Sequence, residues 1–340
     1  MERLQTRTRD LDRSALGARR LAFDAIPVID IAALLNGGPG ARAEVARRID
    51  DACRNVGFFY VANHGVPQRL LDAVYREADA FFSLPLDAKL EYDIHRIKRH
   101  RGYVPIGGLN ADPRYQGAID VQEAYEVSLE LPADDPDYLA GHIMYGPNVW
   151  PDDPPGYRDA VYAYYEAILD LGHALFRGFA LALGLAQDFF EDKIDKPMAQ
   201  LRVIHYPPRA GPPDPRRLGI GAHTDYECFT ILAQSDPGLQ VQNVAGEWVE
   251  APPVRGAFVV NIGDTLAMWT NDKYVSTVHR VTSPTTTKRF SLPFFFGLNH
   301  DTLVSCLETC RGPDNPPRHA PMLAGELTVS NITAAYTYLP

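Results

Sequence analysis

The spacing of apolar residues predicts helices and a few strands in the first 200 residues. Apolar positions recur at helical intervals in residues 44–56, 68–83 and 157–185, and the last of these is the longest stretch. Residues 26–35 predict a short strand that leads into a helix. Residues 57–67 predict an aromatic strand that ends at an Asn-His-Gly turn.

After about residue 200 the pattern changes to short segments rich in β-branched and aromatic residues. Glycine, proline, asparagine or aspartate bounds each segment, which is typical of strands. The segments are LRVIHYP, FTILAQ, LQVQN, WVEA, AFVVNIG, TLAMWT, YVSTVHRVT and RFSLPFFFGLN. Eight short strands in about a hundred residues predict a mainly β fold, an antiparallel jelly roll with flanking helices.

The same patterns predict how the chain is organised. Residues 1–22 form a loosely attached tail, 23–200 a helical and mixed region, 201–305 the jelly-roll core, and 306–340 a segment that packs on the core. Loops are expected at 95–118, which is polar and contains glycine, and at the proline-rich 132–156.

Composition narrows the class of partner. The 340 residues carry 33 Lys and Arg against 43 Asp and Glu, a net charge of −10, which disfavours nucleic acid and acidic membrane surfaces. The sequence has no signal-like apolar segment near its start and no run of about 18 apolar residues, so we expect a cytoplasmic protein that does not span a membrane. The oligomeric state is left open. Four scattered cysteines without a CxxC pair predict reduced thiols: Cys53, Cys228, Cys306 and Cys310.

The strongest chemical signal is the tripeptide His223-Thr224-Asp225. On a strand, residues two apart face the same side, so this imidazole and carboxylate can meet at one point. His279, on a later predicted strand, supplies a third ligand. Two histidines and one carboxylate form the facial triad of non-heme Fe(II) oxygenases, which leaves three positions open for substrates and dioxygen. A structural zinc site is a weaker alternative, because Cys228 has no partner cysteine nearby.

A second signal lies ten residues after His279. Arg289 and Ser291 share one face of a predicted strand, and a guanidinium beside a hydroxyl is suited to clamp a carboxylate. Together with the triad, this pair predicts a carboxylate-binding site.

These residues resemble those of a known family. The chain is similar to the isopenicillin N synthase-like branch of the Fe(II)/2-oxoglutarate-dependent dioxygenases, over about residues 26–300. The resemblance is carried by His223-Thr224-Asp225, His279, Arg289-x-Ser291, IPVIDIAALL, GFFYVANHGVP, RGYVP and GPNVWP. The segments LRVIHYP, GAHTDYECFTIL and WTNDKYVSTVHRV are especially similar to a subgroup that includes thymine 7-hydroxylase and microbial tailoring oxygenases.

The resemblance implies a double-stranded β-helix core, with Fe(II) bound by the triad. It also implies 2-oxoglutarate as co-substrate, held at its distal carboxylate by Arg289 and Ser291 with help from Tyr206. Many members have an asparagine two residues before that tyrosine, where this chain has Ile204. The expected activity is hydroxylation of a C–H bond of a small molecule with dioxygen, giving succinate and carbon dioxide, in secondary metabolism or small-molecule catabolism.

Residues near the predicted barrel mouth are candidate substrate contacts. They are Tyr103, Tyr125, Tyr226, Phe229, Phe294, Phe296 and Asn299, with Glu123 beside them. Alternate residues of one strand face opposite sides, so the phenylalanines of LPFFFGLN cannot all line one pocket. The basic run 95–101 is either a solvated loop or a rim that attracts an anionic substrate.

Three alternatives stay open. The first is an oxidase of the same fold that uses no 2-oxoglutarate. The second is a nucleobase hydroxylase, and the third is a binding protein that has lost catalysis. The intact triad and clamp argue against the third.

Overall fold

A computed structural model of the chain describes residues 4–5, 10–11, 26–97, 99–108, 120–208, 217–282 and 287–335. The helices in these ranges are α1 (Ala32–Asn36), α2 (Pro39–Asn55), α3 (Gln68–Phe82), α4 (Leu86–Leu90), α5 (Ile94–Ile97), α6 (Pro136–Leu139), α7 (Tyr157–Ala182), α8 (Asp264–Trp269) and α9 (Ala324–Ala335). Short 3-10 helices occupy Glu191–Lys193 and Glu308–Cys310. None of the helices in the described ranges has both the length and the apolar character needed to cross a membrane.

The described strands form two main sheets and two small two-stranded sheets. They are β1 (Leu4–Gln5), β2 (Asp10–Leu11), β3 (Val28–Asp30), β4 (Phe58–Ala62), β5 (Gly102–Val104), β6 (Glu123–Ser128), β7 (Gln200–Tyr206), β8 (Ile220–His223), β9 (Phe229–Gln234), β10 (Leu239–Gln242), β11 (Trp248–Glu250), β12 (Ala257–Ile262), β13 (His279–Val281), β14 (Arg289–Phe296), β15 (Leu303–Val304) and β16 (Met322–Leu323). The larger sheet has the order β3-β4-β12-β9-β14-β7-β6-β5, and the smaller has the order β11-β10-β13-β8. A cavity between them is lined by residues of both sheets.

Neighbouring strands of both main sheets are antiparallel, except for the parallel pair β3–β4. Strands β3 to β6, from the first half of the chain, extend the same sheet as the later strands. The prediction of a mainly β jelly roll with flanking helices is confirmed. The division of the chain at 22, 200 and 305 stays a prediction.

Helix α7 covers the outer face of the larger sheet and contacts β14, α2 and α3. Gly172 lies in the middle of this helix, and an added Cβ at this position would lie 2.2 Å from the ring of Phe296. Glycine therefore lets helix and sheet approach closely enough for Phe176 to pack on Phe229 and Phe296, with ring centroids 5.0 and 5.2 Å away. This packing fixes β9 and β14 as the rigid floor of the cavity.

The predicted helices at 44–56, 68–83 and 157–185 correspond to α2, α3 and α7. The strand predicted at TLAMWT was wrong, because this segment belongs to helix α8. Gly263 precedes that helix in an extended conformation, Asp264 lies in its first turn, and Leu266 and Trp269 are buried at a spacing of three. A six-residue segment with four apolar residues is too short for periodicity to distinguish a strand from a helix.

Three further differences concern segment ends and loops. Only His279–Val281 of the segment YVSTVHRVT is a strand. The predicted loop 95–118 contains most of α5 and all of β5, and its residues 98 and 109–118 lie outside the described residues. The predicted loop 132–156 contains α6. Residues 1–22 fall outside the described ranges apart from β1 and β2.

Candidate active site

The two histidines of the predicted triad face each other across neighbouring strands. His223 is the last residue of β8, and His279 is the first of β13, directly opposite in the register. Their ring centroids are 4.3 Å apart. Asp225 follows β8 rather than lying on it, and its Oδ1 is 3.5 Å from Nε2 of each histidine. One ligand atom from each of the three residues lies within 4.8 Å of the others.

Neighbouring side chains determine which oxygen of Asp225 faces the imidazoles. Oδ2 accepts hydrogen bonds from the Thr230 hydroxyl at 2.5 Å and from the Asn261 amide at 2.7 Å. Burial alone would raise the pKa of Asp225, but the charges and hydrogen bonds of His279 and His223 outweigh it and hold that pKa well below its usual range. The carboxylate is therefore ionised at neutral pH.

Backbone carbonyls orient both imidazole rings. Nδ1 of His223 donates to the Gly221 carbonyl at 2.7 Å, and Nδ1 of His279 donates to the Thr277 carbonyl at 3.1 Å. Because Nδ1 of each ring is used in this way, Nε2 is the nitrogen that faces the point shared with Asp225 and is available to a metal. An ionised carboxylate and two imidazoles whose ligand atoms converge on one point at the cavity fit Fe(II).

Arg289 lies in the same cavity and is fully buried. Its Nε donates to the Asp236 carbonyl at 3.0 Å, and its Nη2 donates to the Gln234 side-chain oxygen at 2.9 Å. The remaining Nη1 is buried and has no hydrogen-bond partner among the described residues. A buried cation with one unused donor fits the distal carboxylate of 2-oxoglutarate.

Ser291 and Tyr206 stand beside this arginine. Tyr206 is opposite Arg289 in the β7–β14 register, and the guanidinium lies 4.6 Å from the centre of its ring. The hydroxyls of Tyr206 and Ser291 are 3.2 Å apart. Ile204, opposite Ser291, adds an apolar wall where many family members carry asparagine. The structure thus brings the predicted triad and the predicted clamp into one cavity.

Comparison with known proteins agrees with this geometry. A family model described as non-haem dioxygenase in morphine synthesis N-terminal matches residues 26–153, and one described as 2OG-Fe(II) oxygenase superfamily matches residues 197–298. The 2-oxoglutarate-Fe(II) type oxidoreductase ppzC of Metarhizium majus is 39% identical over 86% of this chain and 83% of its own. The chain belongs to the 2OG-Fe(II) oxygenase superfamily.

Other relatives of this dioxygenase act on varied molecules, as their names show. A homoarginine-6-hydroxylase of Arabidopsis thaliana is 35% identical over 85% of this chain and 89% of its own. The structure of Neurospora crassa thymine 7-hydroxylase with 2-oxoglutarate and thymine covers 91% of this chain and 96% of its own, with a TM-score of 0.80 and 28% identity. The predicted family, activity class and cofactors are therefore confirmed. The protein is a 2-oxoglutarate-dependent dioxygenase that hydroxylates small molecules with Fe(II) and dioxygen.

The pairing of β14 with β7 gives the order of residues along the cavity from one end to the other. Alternate residues of the two strands line it. From the Arg289 end to the other they are Arg289, Ser291, Pro293 and Phe295 on β14, and Tyr206, Ile204, Arg202 and Gln200 on β7. Phe295 lies opposite Thr230, which holds Asp225, so the triad is near the far end. We call the wall formed by His100, Gln200, Arg202, Tyr226, Glu227, Phe295 and Ile332 the substrate end.

Of the substrate contacts proposed from sequence, Tyr226 lines the cavity. Phe229, Phe294 and Phe296 do not, because they project from the opposite face of the larger sheet. Phe294 packs on Tyr165 of α7, with ring centroids 5.1 Å apart, and Phe296 stacks on Phe229 at 5.4 Å. The alternation of the strand places Phe295, between the two, in the cavity wall.

Tyr103, Tyr125 and Asn299 also lie elsewhere. The hydroxyl of Tyr103 donates to Glu123 at 2.5 Å, on the face of β6 that carries Glu123 rather than the cavity face. The Tyr125 hydroxyl donates to the Val149 carbonyl at 2.8 Å. Asn299 accepts from the Lys196 backbone N–H at 2.9 Å. The polar groups of these three side chains are therefore used in contacts within the fold.

The residues of the basic run 95–101 lie in different environments. Arg101 is fully buried and donates to the carbonyls of Ile143 and Met144 at 3.2 and 2.8 Å, so it supports the fold. His100 is 2% exposed and lines the substrate end. The interpretation as one solvated loop or charged rim was therefore wrong for these two residues. Lys98 lies outside the described residues.

Sequence reasoning missed most of the substrate end. The two-residue period of β14, counted from Arg289, could have identified Phe295, and the same period counted from Tyr206 could have identified Arg202. No sequence signal marks His100 or Ile332, because loop and helix residues reach the cavity only through the tertiary fold.

Proposed function

We propose that His223, Asp225 and His279 hold Fe(II), and that Arg289, Ser291 and Tyr206 hold the distal carboxylate of 2-oxoglutarate. The single observation that carries this proposal is the buried Nη1 of Arg289, which has no described partner and lines the same cavity as the triad. Fe(II) and 2-oxoglutarate, when bound, supply dioxygen activation and the oxidising power for hydroxylation, with succinate and carbon dioxide as co-products.

The chain's own residues orient these groups and keep the cavity dry. Gln234 and the Asp236 carbonyl hold the guanidinium of Arg289 so that its third nitrogen is available to a carboxylate. Leu232, Leu239 and Val281 line the cavity with apolar surface. Exclusion of water strengthens the ion pair between the guanidinium and the co-substrate.

The substrate we propose is a small molecule of secondary metabolism or of small-molecule catabolism, acted on in the cytoplasm. The homoarginine-6-hydroxylase relative and the thymine complex of the structural neighbour support a compact, nitrogen-containing substrate. A net charge of −10 supports a function without nucleic acid or acidic membranes as partners.

The test is an anaerobic titration of the Fe(II)-loaded protein with 2-oxoglutarate, followed by its visible charge-transfer band. We expect a saturable band in the wild type, and a much higher 2-oxoglutarate requirement in Arg289→Ala. Lys288→Ala is the matched control, because Lys288 is adjacent in sequence but is half-exposed and pairs with Asp79. No band with bound iron would favour the oxidase that uses no 2-oxoglutarate, and no bound iron would overturn the metal site.

A further inference from the structure

We infer that the substrate end binds an uncharged, carbonyl-bearing group rather than a carboxylate, and that Glu126 is the positioning residue that sets this preference through Arg202. The inference deepens the proposed function and rests on it. It comes from a difference between the two arginines that line the cavity, Arg289 and Arg202.

Arg202 is neutralised by a buried acid. It lies directly opposite Glu126 in the β6–β7 register, and its Nε is 3.2 Å from Oε1 of Glu126. The side chains are 7% and 0% exposed. Nη2 of Arg202 also donates to the Gln122 side-chain oxygen at 3.4 Å. The guanidinium is therefore held in place as a hydrogen-bond donor whose charge is already compensated.

Arg289 differs because its two described partners are uncharged: a backbone carbonyl and the Gln234 amide. Its positive charge stays available for an anion, as a dicarboxylic co-substrate requires. Two guanidinium groups in one cavity thus present different electrostatic environments. One is suited to a carboxylate and the other to a neutral acceptor.

The other polar groups of the substrate end add no positive charge. Burial, with help from the charges of Arg202 and Arg101, lowers the pKa of His100 to about 3, so its imidazole is neutral at pH 7. The Gln200 side-chain amide donates to the His100 carbonyl at 3.2 Å and braces this segment. Glu227 also lines this end, and neither its neutral form nor its ionised form would attract an anion.

The energetic consequence follows from desolvation. A substrate carboxylate placed here would lose its hydration without meeting a net positive charge, and burial of an uncompensated charge is strongly unfavourable. A carbonyl oxygen loses less hydration and still gains hydrogen bonds from a fixed guanidinium. Phe295 and Tyr226 on the adjacent wall favour a flat molecule.

The experiment uses uracil and orotate as probes, because they share one ring and differ by a carboxylate. Binding to the Fe(II)–2-oxoglutarate protein is measured as a shift of the charge-transfer band, and turnover as succinate released. We expect wild type to bind uracil at millimolar concentrations and at least about tenfold more tightly than orotate. In Glu126→Gln, Arg202 keeps an uncompensated charge. We therefore expect the ratio of the affinity for uracil to that for orotate to fall about tenfold, and orotate to bind better than in wild type.

Three variants separate this role from a structural one. Glu126→Asp retains the negative charge and should retain the wild-type ratio. Glu126→Gln combined with Arg202→Gln removes both charges and should weaken uracil without improving orotate. Glu123→Gln is the matched control, because Glu123 lies on the same strand and is buried in a pair with Lys89, away from the cavity.

Equal or tighter orotate binding in wild type would overturn the inference, as would an unchanged ratio in Glu126→Gln or an equal shift in Glu123→Gln. Failure of uracil to bind would also overturn the inference, as would tighter binding of the cationic probe 5-aminomethyluracil than of uracil. The Arg289-dependent band is recorded first in the same samples. Loss of that band means failure of the proposed function, whereas a normal band with the wrong probe preference means failure of this inference alone.

Discussion

The hydroxyl of Thr230 donates to Oδ2 of Asp225 at 2.5 Å and leaves Oδ1 facing the two imidazoles. This hydrogen bond connects a rigid strand, β9, to a ligand that lies in a loop. Its removal by Thr230→Val keeps the side-chain shape but frees the carboxylate to rotate. We expect about a 10- to 100-fold loss of Fe(II) affinity, the usual range for groups that orient metal ligands.

The measurement is an Fe(II) titration of apoprotein, with Thr270→Val as control. Thr270 is also buried, but its hydroxyl bonds to the Leu266 carbonyl within α8. Unchanged Fe(II) affinity in Thr230→Val would show that the orientation of Asp225 does not depend on this hydroxyl.

Phe294 and Phe295 are adjacent, yet they should respond differently to truncation. Phe294→Ala leaves a hole where its ring meets Tyr165 and should lower the free energy of unfolding by about 3–5 kcal/mol. Phe295→Ala removes part of the cavity wall and should change substrate KM and the coupling of 2-oxoglutarate consumption to hydroxylation, with a smaller loss of stability. Denaturant unfolding and steady-state kinetics on both variants test the pair. A larger stability loss in Phe295→Ala would contradict the assignment of faces.

The buried neutral imidazole of His100 should make stability depend on pH. Its folded pKa is about 3 against 6.5 for an exposed histidine, so between these values the unfolded state binds a proton that the folded state does not. Stability should therefore fall as pH decreases from about 6.5 towards about 3. His100 contributes a slope of up to about 1.4 kcal/mol per pH unit within that window.

His100→Gln removes this contribution, so its unfolding free energy should vary less with pH than that of wild type. Urea unfolding at several pH values above 4 measures the difference in slope. His95→Gln serves as the control, because His95 is half-exposed beside Asp93. Parallel pH profiles for wild type and His100→Gln would show that His100 takes up a proton in the folded state as readily as in the unfolded state.

Helix α9 closes part of the substrate end with Ile332. The start of this helix is anchored by the Gly325 backbone N–H, which donates to the His300 carbonyl at 2.8 Å. We expect Ile332→Ala to admit water and to raise succinate formation in the absence of substrate. Leu327→Ala, a buried residue of the same helix outside the cavity wall, should lower stability without this effect. Equal substrate-free succinate formation in the two variants would rule out a role for Ile332 in closing the cavity.

The candidate iron ligands and the carboxylate clamp could be predicted from sequence because most of their residues are only two positions apart. Arg289 and Ser291 lie on one face of β14, as the two-residue period of a strand predicts. Asp225 lies beyond the end of β8, and a turn still brings it to the histidines. The predicted strands around these residues were confirmed for β7, β9 and β14.

The substrate end could not be deduced in the same way, because it is assembled from distant parts of the chain. His100 comes from a loop, Arg202 from β7 and Ile332 from α9. Aromatic residues gave a misleading signal: Tyr103, Tyr125, Phe294 and Phe296 are all buried in the core. Sequence periodicity also failed for α8, because the four apolar residues Leu266–Trp269 are compatible with either a strand or a helix.

The alternation along β14 has a consequence for altering this catalyst. Positions 293 and 295 face the cavity, whereas 292, 294 and 296 are in the core, so a mutant library confined to the first pair changes the cavity wall and leaves the core unchanged. A single-residue insertion in β14 would do the reverse, because it exchanges the two faces downstream of the insertion and puts core rings where the substrate belongs. Alternate residues of β14 thus serve different purposes: one set shapes the cavity, and the other set packs the core.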